Sequence, residues 1–290
     1  MLFTGTGVAI VTPFHHDRTV DFDALRRIVH HCVDGQADYI VALGTTGESA
    51  TLNAGEKADV VSCIIDAVAG RIQVVVGVGG NNTAKVVDDL KHTNFDGISG
   101  LLTVTPYYNK PSQTGMIEHF KAVAAASPVP VILYNVPSRT GVNMTAETTL
   151  TLAHEAGNIV AIKEASGVLT QISQIIRGRP ENFSVISGDD AISLPLIALG
   201  GQGVISVAAN AFPRQTSNLI REALAGNYPA AQAIQCAMID LFETLFVEGS
   251  PSGIKAALNI LGLSQNVLRL PLAPVSQKTY QILDSLIKEI

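Results

Sequence analysis

The sequence predicts a (β/α)8 barrel with a small C-terminal helical domain, and three observations over its 290 residues carry that prediction. Short β-branched runs recur without polar alternation, which is how strands buried on both faces of a parallel sheet read. Segments of helical length and amphipathic pattern separate them. After Gly226 the strand signal stops and only helical patterns follow.

The strands are expected at 7–13, 38–44, 72–79, 98–106, 130–137, 158–165, 183–188 and 203–207. Between the first two, Phe22, Leu25, Val29, Cys32 and Val33 fall on one stripe of a helix over 22–33. The next helix spans 53–68, where Asn53 followed by Glu56 three residues on has the spacing of a capping box. Further helices are expected to begin near Thr83, Thr114, Thr145, Leu169, Ala191 and Arg214. Eight such units in about 225 residues suit one barrel of ordinary size. A doubly wound open sheet uses the same alternation, and the count alone does not separate the two. The dinucleotide-binding version of it has weak support, because Gly77-x-Gly79 lacks a third glycine. Helices over 228–247, 252–262 and 275–289 complete the chain, broken at 249–251 and 271–274. The expected division is a catalytic barrel at 1–225 and a helical domain at 226–290.

Composition narrows the function classes. Hydrophobic residues make up 47% and charged residues 15%, the reverse of the balance a disordered chain needs. The net charge of −6 and the lack of a basic cluster argue against nucleic acid as a partner. Gly and Pro interrupt every apolar stretch, so no run approaches the ~18 to 20 residues that span a bilayer. The first residues, MLFTGTGVAIVTPF, read as a first strand and not as a signal peptide. Cys32, Cys63 and Cys236 are odd in number and carry no CxxC spacing, which suits free thiols in a reducing cytoplasm. Surplus apolar surface is assigned to contacts between subunits.

A barrel places its active site at the C-terminal ends of its strands. There the sequence offers Thr45 and Thr46 between glycines, Tyr107 and Tyr108, Tyr134, Arg139, Lys163, Gly188 and Ile205. Lys163 stands inside IVAIKEA, an apolar strand where a solvated lysine has no place. A free lysine is neutral in only about one molecule in 2,500 at pH 7. Burial disfavours the charge and exposes an amine able to form a Schiff base. The plain alternative is a lysine paired with a carboxylate such as Glu164 or Asp189. The tyrosines can relay protons or simply pack. Arg139 can clamp a carboxylate with two parallel hydrogen bonds or lie on the surface. The threonine loop can cradle a small carboxylate or serve as a turn.

Other chemistries have little support. The seven histidines form no HExxH and no His-x-His, so no metal is expected. Asp189-Asp190 reads as a helix cap sooner than as a magnesium site. No serine or cysteine sits in a nucleophile elbow.

The segments GTTGESATLN, TVTPYYNKPSQTG, ILYNVPSRTG, IKEASG, SGDD and GGQGVISV together resemble the dihydrodipicolinate synthase family across essentially the whole chain. The resemblance implies that Lys163 forms an imine with pyruvate, whose carboxylate Thr46 holds. It implies that Tyr134 is the general acid/base, linked through Thr45 to Tyr108 of a neighbouring subunit. Arg139 then holds the carboxylate of L-aspartate 4-semialdehyde, and Gly188 and Ile205 line the pyruvate pocket. It further implies a step of lysine (diaminopimelate) biosynthesis, no cofactor, and a homotetramer built as a dimer of dimers. Related lyases acting on N-acetylneuraminate or 2-keto-3-deoxy sugar acids share the lysine and tyrosine but lack the arginine of NVPSRTG. A barrel kept only for ligand binding is the reading from another class; it predicts a lost reactive side chain, and none is lost.

One departure from the resemblance concerns regulation. Ser49, Ala50, Asn81 and Tyr107 match the site where some family members bind L-lysine as a feedback inhibitor. Ala54 and Lys57 stand where those members carry histidines, and Lys85 stands where they carry glutamate. A cation in place of the carboxylate that receives the ligand's ammonium repels it. Inhibition by lysine is therefore expected to be weak or absent.

Overall fold

Eight parallel strands close into a barrel in the computed structural model, which describes residues 1–290. They are β1 (Gly5–Ala9), β2 (Tyr39–Ala42), β3 (Gln73–Gly77), β4 (Gly100–Val104), β5 (Val131–Asn135), β6 (Ile159–Glu164), β7 (Ser184–Ser187) and β8 (Gly203–Ser206). Each pairs with its neighbours in sequence, and β1 closes the ring by pairing Gly5 with Gly203 and Gly7 with Ile205 of β8. At that seam Gly203 has φ +150, and a Cβ there would lie 2.0 Å from the Gly5 carbonyl oxygen. Only glycine lets the first and last strands approach so closely. The closed ring decides against the open-sheet alternative.

The absence of alternation in the strands follows from the two cores. Ala9, Val41, Val75, Leu102, Ile132, Ala161, Ile186 and Ile205 point inward and plug the barrel. Val8, Ile40, Val76, Leu101, Leu133, Ile162, Val185 and Val204 point outward to the helices. Burying a side chain of this size contributes about 1.5–3 kcal/mol, so polar residues are tolerated only toward the strand ends.

The outer layer comprises α1 (Phe22–Asp34), α2 (Ala54–Val68), α3 (Thr83–His92), α4 (Gln113–Ala126), α5 (Pro137–Thr140), α6 (Ala146–Glu155), α7 (Leu169–Gly178), α8 (Ser193–Ala198) and α9 (Pro213–Leu224). Short polar residues start many of them. Asp21, Asn82, Ser112 and Thr145 each accept a backbone N–H of the first turn, and Asn53 with Glu56 closes the capping box. Each cap contributes about 1 kcal/mol. The fifth strand is shorter than the sequence suggests. Pro137 lies at the first position of α5, a single helical turn that ends the strand signal there.

Three more helices follow: α10 (Tyr228–Thr244), α11 (Ser252–Ile260) and α12 (Gln277–Ile287). α10 packs on α9, and α12 packs on both α10 and α11. Residues Ser252 to Leu258 of α11 are all buried, including Lys255. No helix is long and apolar enough to cross a membrane.

Candidate active site

Lys163 and Tyr134 lie side by side because β5 and β6 pair Tyr134 with Lys163 in register. Strand alternation turns Ala161 and Lys163 into the barrel and Ile162 and Glu164 away from it. Lys163 is 5% exposed, and its Nζ sits 4.4 Å from the centre of the Tyr134 ring. Burial brings its pKa down to about 8; the charge of Asp190 opposes that shift and the charge of Arg139 adds to it. Roughly one amine in ten is then neutral at pH 7.

The pairing with Glu164 or Asp189 that would make Lys163 a plain structural lysine is absent. The Glu164 carboxylate faces outward and accepts from the Asn135 and Gln171 side-chain amides and the Ser166 backbone N–H. Asp189 accepts from the Ala191 N–H.

Burial raises the pKa of the Tyr134 phenol, while the charge of Arg139 and the nearby Thr45 hydroxyl pull it back. Thr45 and the buried Thr46 sit in a single 3-10 turn, Thr45–Gly47, directly after β2. The Thr12 hydroxyl donates to the Gly47 carbonyl over 2.7 Å and pins the turn to the first strand's loop. Gly188 follows the last residue of β7, beside the lysine. A Cβ there would stand 2.7 Å from the Ala165 Cβ and 3.1 Å from Lys163 Cε, so the missing side chain is the space in which the lysine lies. Ile205 lies in the inner layer on β8 and is fully buried. Arg139, on α5, donates to the Ser250 carbonyl over 3.3 Å.

Tyr108 is not part of this cluster within one chain. It is 88% exposed on the loop after β4, at φ 71, and its neighbour Tyr107 is also exposed. The Asn109 amide ties that loop to the Asn81 carbonyl. Ser49 and Ala50 lie in the 3-10 turn Ser49–Thr51, and the exposed Lys85 pairs with Asp89 on its own helix.

Asp190 corrects the capping expectation. Its buried carboxylate accepts from the N–H groups of Val207 and Ala208, each over 3.0 Å, while α8 starts at Ser193 without a side-chain cap. The aspartate thus straps the end of β7 to the end of β8, and its negative charge favours the protonated lysine. No group of histidine, cysteine, aspartate and glutamate side chains forms a metal cluster.

A buried lysine with a loosened proton, beside a tyrosine at the mouth of a (β/α)8 barrel, is the arrangement that Schiff-base chemistry requires. The family model of the dihydrodipicolinate synthetase family matches residues 2–290, and the chain belongs to that family. It is 51% identical over 286 residues to the 4-hydroxy-tetrahydrodipicolinate synthase of Parabacteroides distasonis, covering 99% of this chain and 96% of the relative. A crystal structure of dihydrodipicolinate synthase from Thermotoga maritima superposes with a TM-score of 0.97 at 39% identity, covering 100% of this chain and 99% of that one. A structure described as a monomeric dihydrodipicolinate synthase variant gives 0.96 at 40%, covering 99% and 96%.

Proposed function

We infer that this chain is a lyase that condenses pyruvate with L-aspartate 4-semialdehyde to 4-hydroxy-tetrahydrodipicolinate, the step its relatives are named for, in lysine biosynthesis. The observation that carries the reading is Lys163, sealed in the barrel mouth against the Tyr134 ring with its pKa near 8. The neutral amine adds to the pyruvate ketone, and loss of water leaves an imine. The iminium accepts the electron pair when a C3 proton departs, so no other electron sink is needed. The resulting enamine attacks the aldehyde carbon of the second substrate. That substrate's amino group then closes on the imine carbon and releases Lys163.

Within this scheme Tyr134 moves the protons, with the Thr45 hydroxyl near its phenol. Thr46 holds the pyruvate carboxylate, and Gly188 and Ile205 shape the space around it. Arg139 receives the carboxylate of the semialdehyde. Tyr108 serves the site of a neighbouring subunit in a homotetramer; its 88% exposure at the mouth leaves the ring free for that role. Residues 1–225 form the catalytic barrel and 226–290 the helical domain. The three unpaired cysteines suit the cytoplasm.

Pyruvate followed by borohydride adds one reduced pyruvyl group to Lys163, and a coupled assay with L-aspartate 4-semialdehyde turns over. A chain that borohydride leaves unmodified overturns the reading. Lysine inhibition is weak because Lys85 puts a cation where the inhibited family members carry glutamate. Strong inhibition at sub-millimolar lysine overturns that part alone.

A further inference from the structure

The loop that carries Thr45 and Thr46 is tied to the far end of the chain by a buried charge cluster. Glu48 ends the turn: its N–H donates to the Thr45 carbonyl over 3.1 Å, and its φ of 50 is one that non-glycine residues rarely adopt. Its side chain is sealed from solvent. One carboxylate oxygen meets the Lys255 ammonium of α11, with both side chains inaccessible to solvent. The other accepts the Arg269 backbone N–H over 3.0 Å. Lys255 also donates to the Val267 carbonyl over 2.9 Å and lies 4.1 Å from the centre of the Phe14 ring. The Arg269 guanidinium covers the same ring at 4.5 Å, donates to the Thr51 carbonyl, and pairs with Glu56 at the start of α2.

A sealed ion pair is a weak source of stability, because desolvating two charges offsets most of their attraction. Apolar side chains of the same volume hold a junction as well. What the charges add is direction, since a carboxylate gripped from two sides fixes both the position and the rotation of its backbone. Here that backbone is three residues from Thr45 and two from Thr46. We propose that Lys255 is a positioning residue for the pyruvate site, acting with the Arg269 backbone N–H through Glu48 to hold the Thr45–Thr46 turn against Tyr134 and Lys163. The helical segment thereby takes part in substrate binding without touching substrate. The inference rests on the pyruvate reading of the site.

The test uses Lys255→Met and the double variant Glu48→Gln/Lys255→Met, which leaves no lone buried charge and so protects the fold. The readouts are the pyruvate concentration for half-maximal borohydride labelling, and the KM values for both substrates, taken well below each variant's melting temperature. The expected result is a pyruvate half-saturation and KM raised about ten-fold, with the KM for the semialdehyde changed less than about two-fold. A purely structural pair lowers the melting temperature and leaves the pyruvate half-saturation of the folded protein unchanged. If the single variant is insoluble, the double variant decides. Wild-type half-saturation in the double variant overturns the positioning role. An unlabelled wild-type chain overturns the pyruvate reading itself, and this inference with it.

Discussion

Two lysines in this chain share almost every local property and differ in one. Lys163 and Lys255 are both buried, and burial brings both pKa values down to about 8. Each ammonium lies over an aromatic ring, at 4.4 Å from the Tyr134 centre and 4.1 Å from the Phe14 centre. Lys255 touches the Glu48 carboxylate and donates to a backbone carbonyl. Lys163 makes no ion pair and feels Asp190 only through its field, while the Oδ2 of that carboxylate accepts two backbone N–H groups. Burial loosens the proton in both cases. The partner decides whether the amine is then free to attack a carbonyl or remains one half of a tether.

The largest test of that contrast is selectivity. Borohydride reduction at pH 8 with saturating pyruvate labels Lys163 and leaves Lys255 unlabelled, read by peptide mass mapping. Lys163→Met loses labelling altogether and lowers turnover by about 10³-fold or more. A reduced adduct on Lys255 would break the comparison, since it would show that the ion pair does not withhold the amine.

The next effect is the pH dependence of labelling, which follows the neutral amine. The pKa is depressed, so the rate at limiting pyruvate climbs about ten-fold per pH unit below about 8 and levels off above it. Arg139 is one of the charges that keep that value low. Arg139→Gln removes a positive charge, favours the ammonium and moves the limb to higher pH; labelling at pH 7 slows several-fold. A limb that moves down, or stays, would mean that the guanidinium is not felt at Nζ.

The two lysines also show what could be read from sequence. Lys163 was legible because IVAIKEA is a strand buried on both faces, and a cation there is an anomaly. The eight strands were legible for the same reason. Lys255 was not, because SGIKAALN on an amphipathic helix offers a lysine an ordinary solvated position. Its burial depends on Glu48, 207 positions earlier in the chain, and no local pattern carries that pairing. Asp190 was misread because an aspartate before a helix resembles a cap, whereas its partners belong to the loop after β8. Gly188 could be matched by resemblance, but its reason is that a Cβ there would stand 3.1 Å from Lys163 Cε, a proximity that only the fold supplies.

The smallest effect separates the two ion pairs at the junction itself. Lys255–Glu48 is sealed, while Arg269–Glu56 is partly open, with side-chain exposures of 16% and 24%. Hydrogen bonds from Arg269, opposed by partial burial and helped by the Asn53 N–H, hold the Glu56 carboxyl down at about 2 against an ordinary 4.5. A depressed carboxylate contributes stability that is complete above the unfolded value and is lost as pH falls from about 4.5 toward 2. The exposure of the pair limits that contribution to about 1 kcal/mol. Urea midpoints of the wild type and Glu56→Gln should therefore differ most above pH 5 and converge by pH 2. Glutamine keeps the acceptor for Asn53, so the capping box stays intact and the difference reports the arginine pair. A gap that stays constant across that range would show that Arg269 holds the side chain by shape and not by charge, and the open pair would then be as silent to acid as a neutral contact.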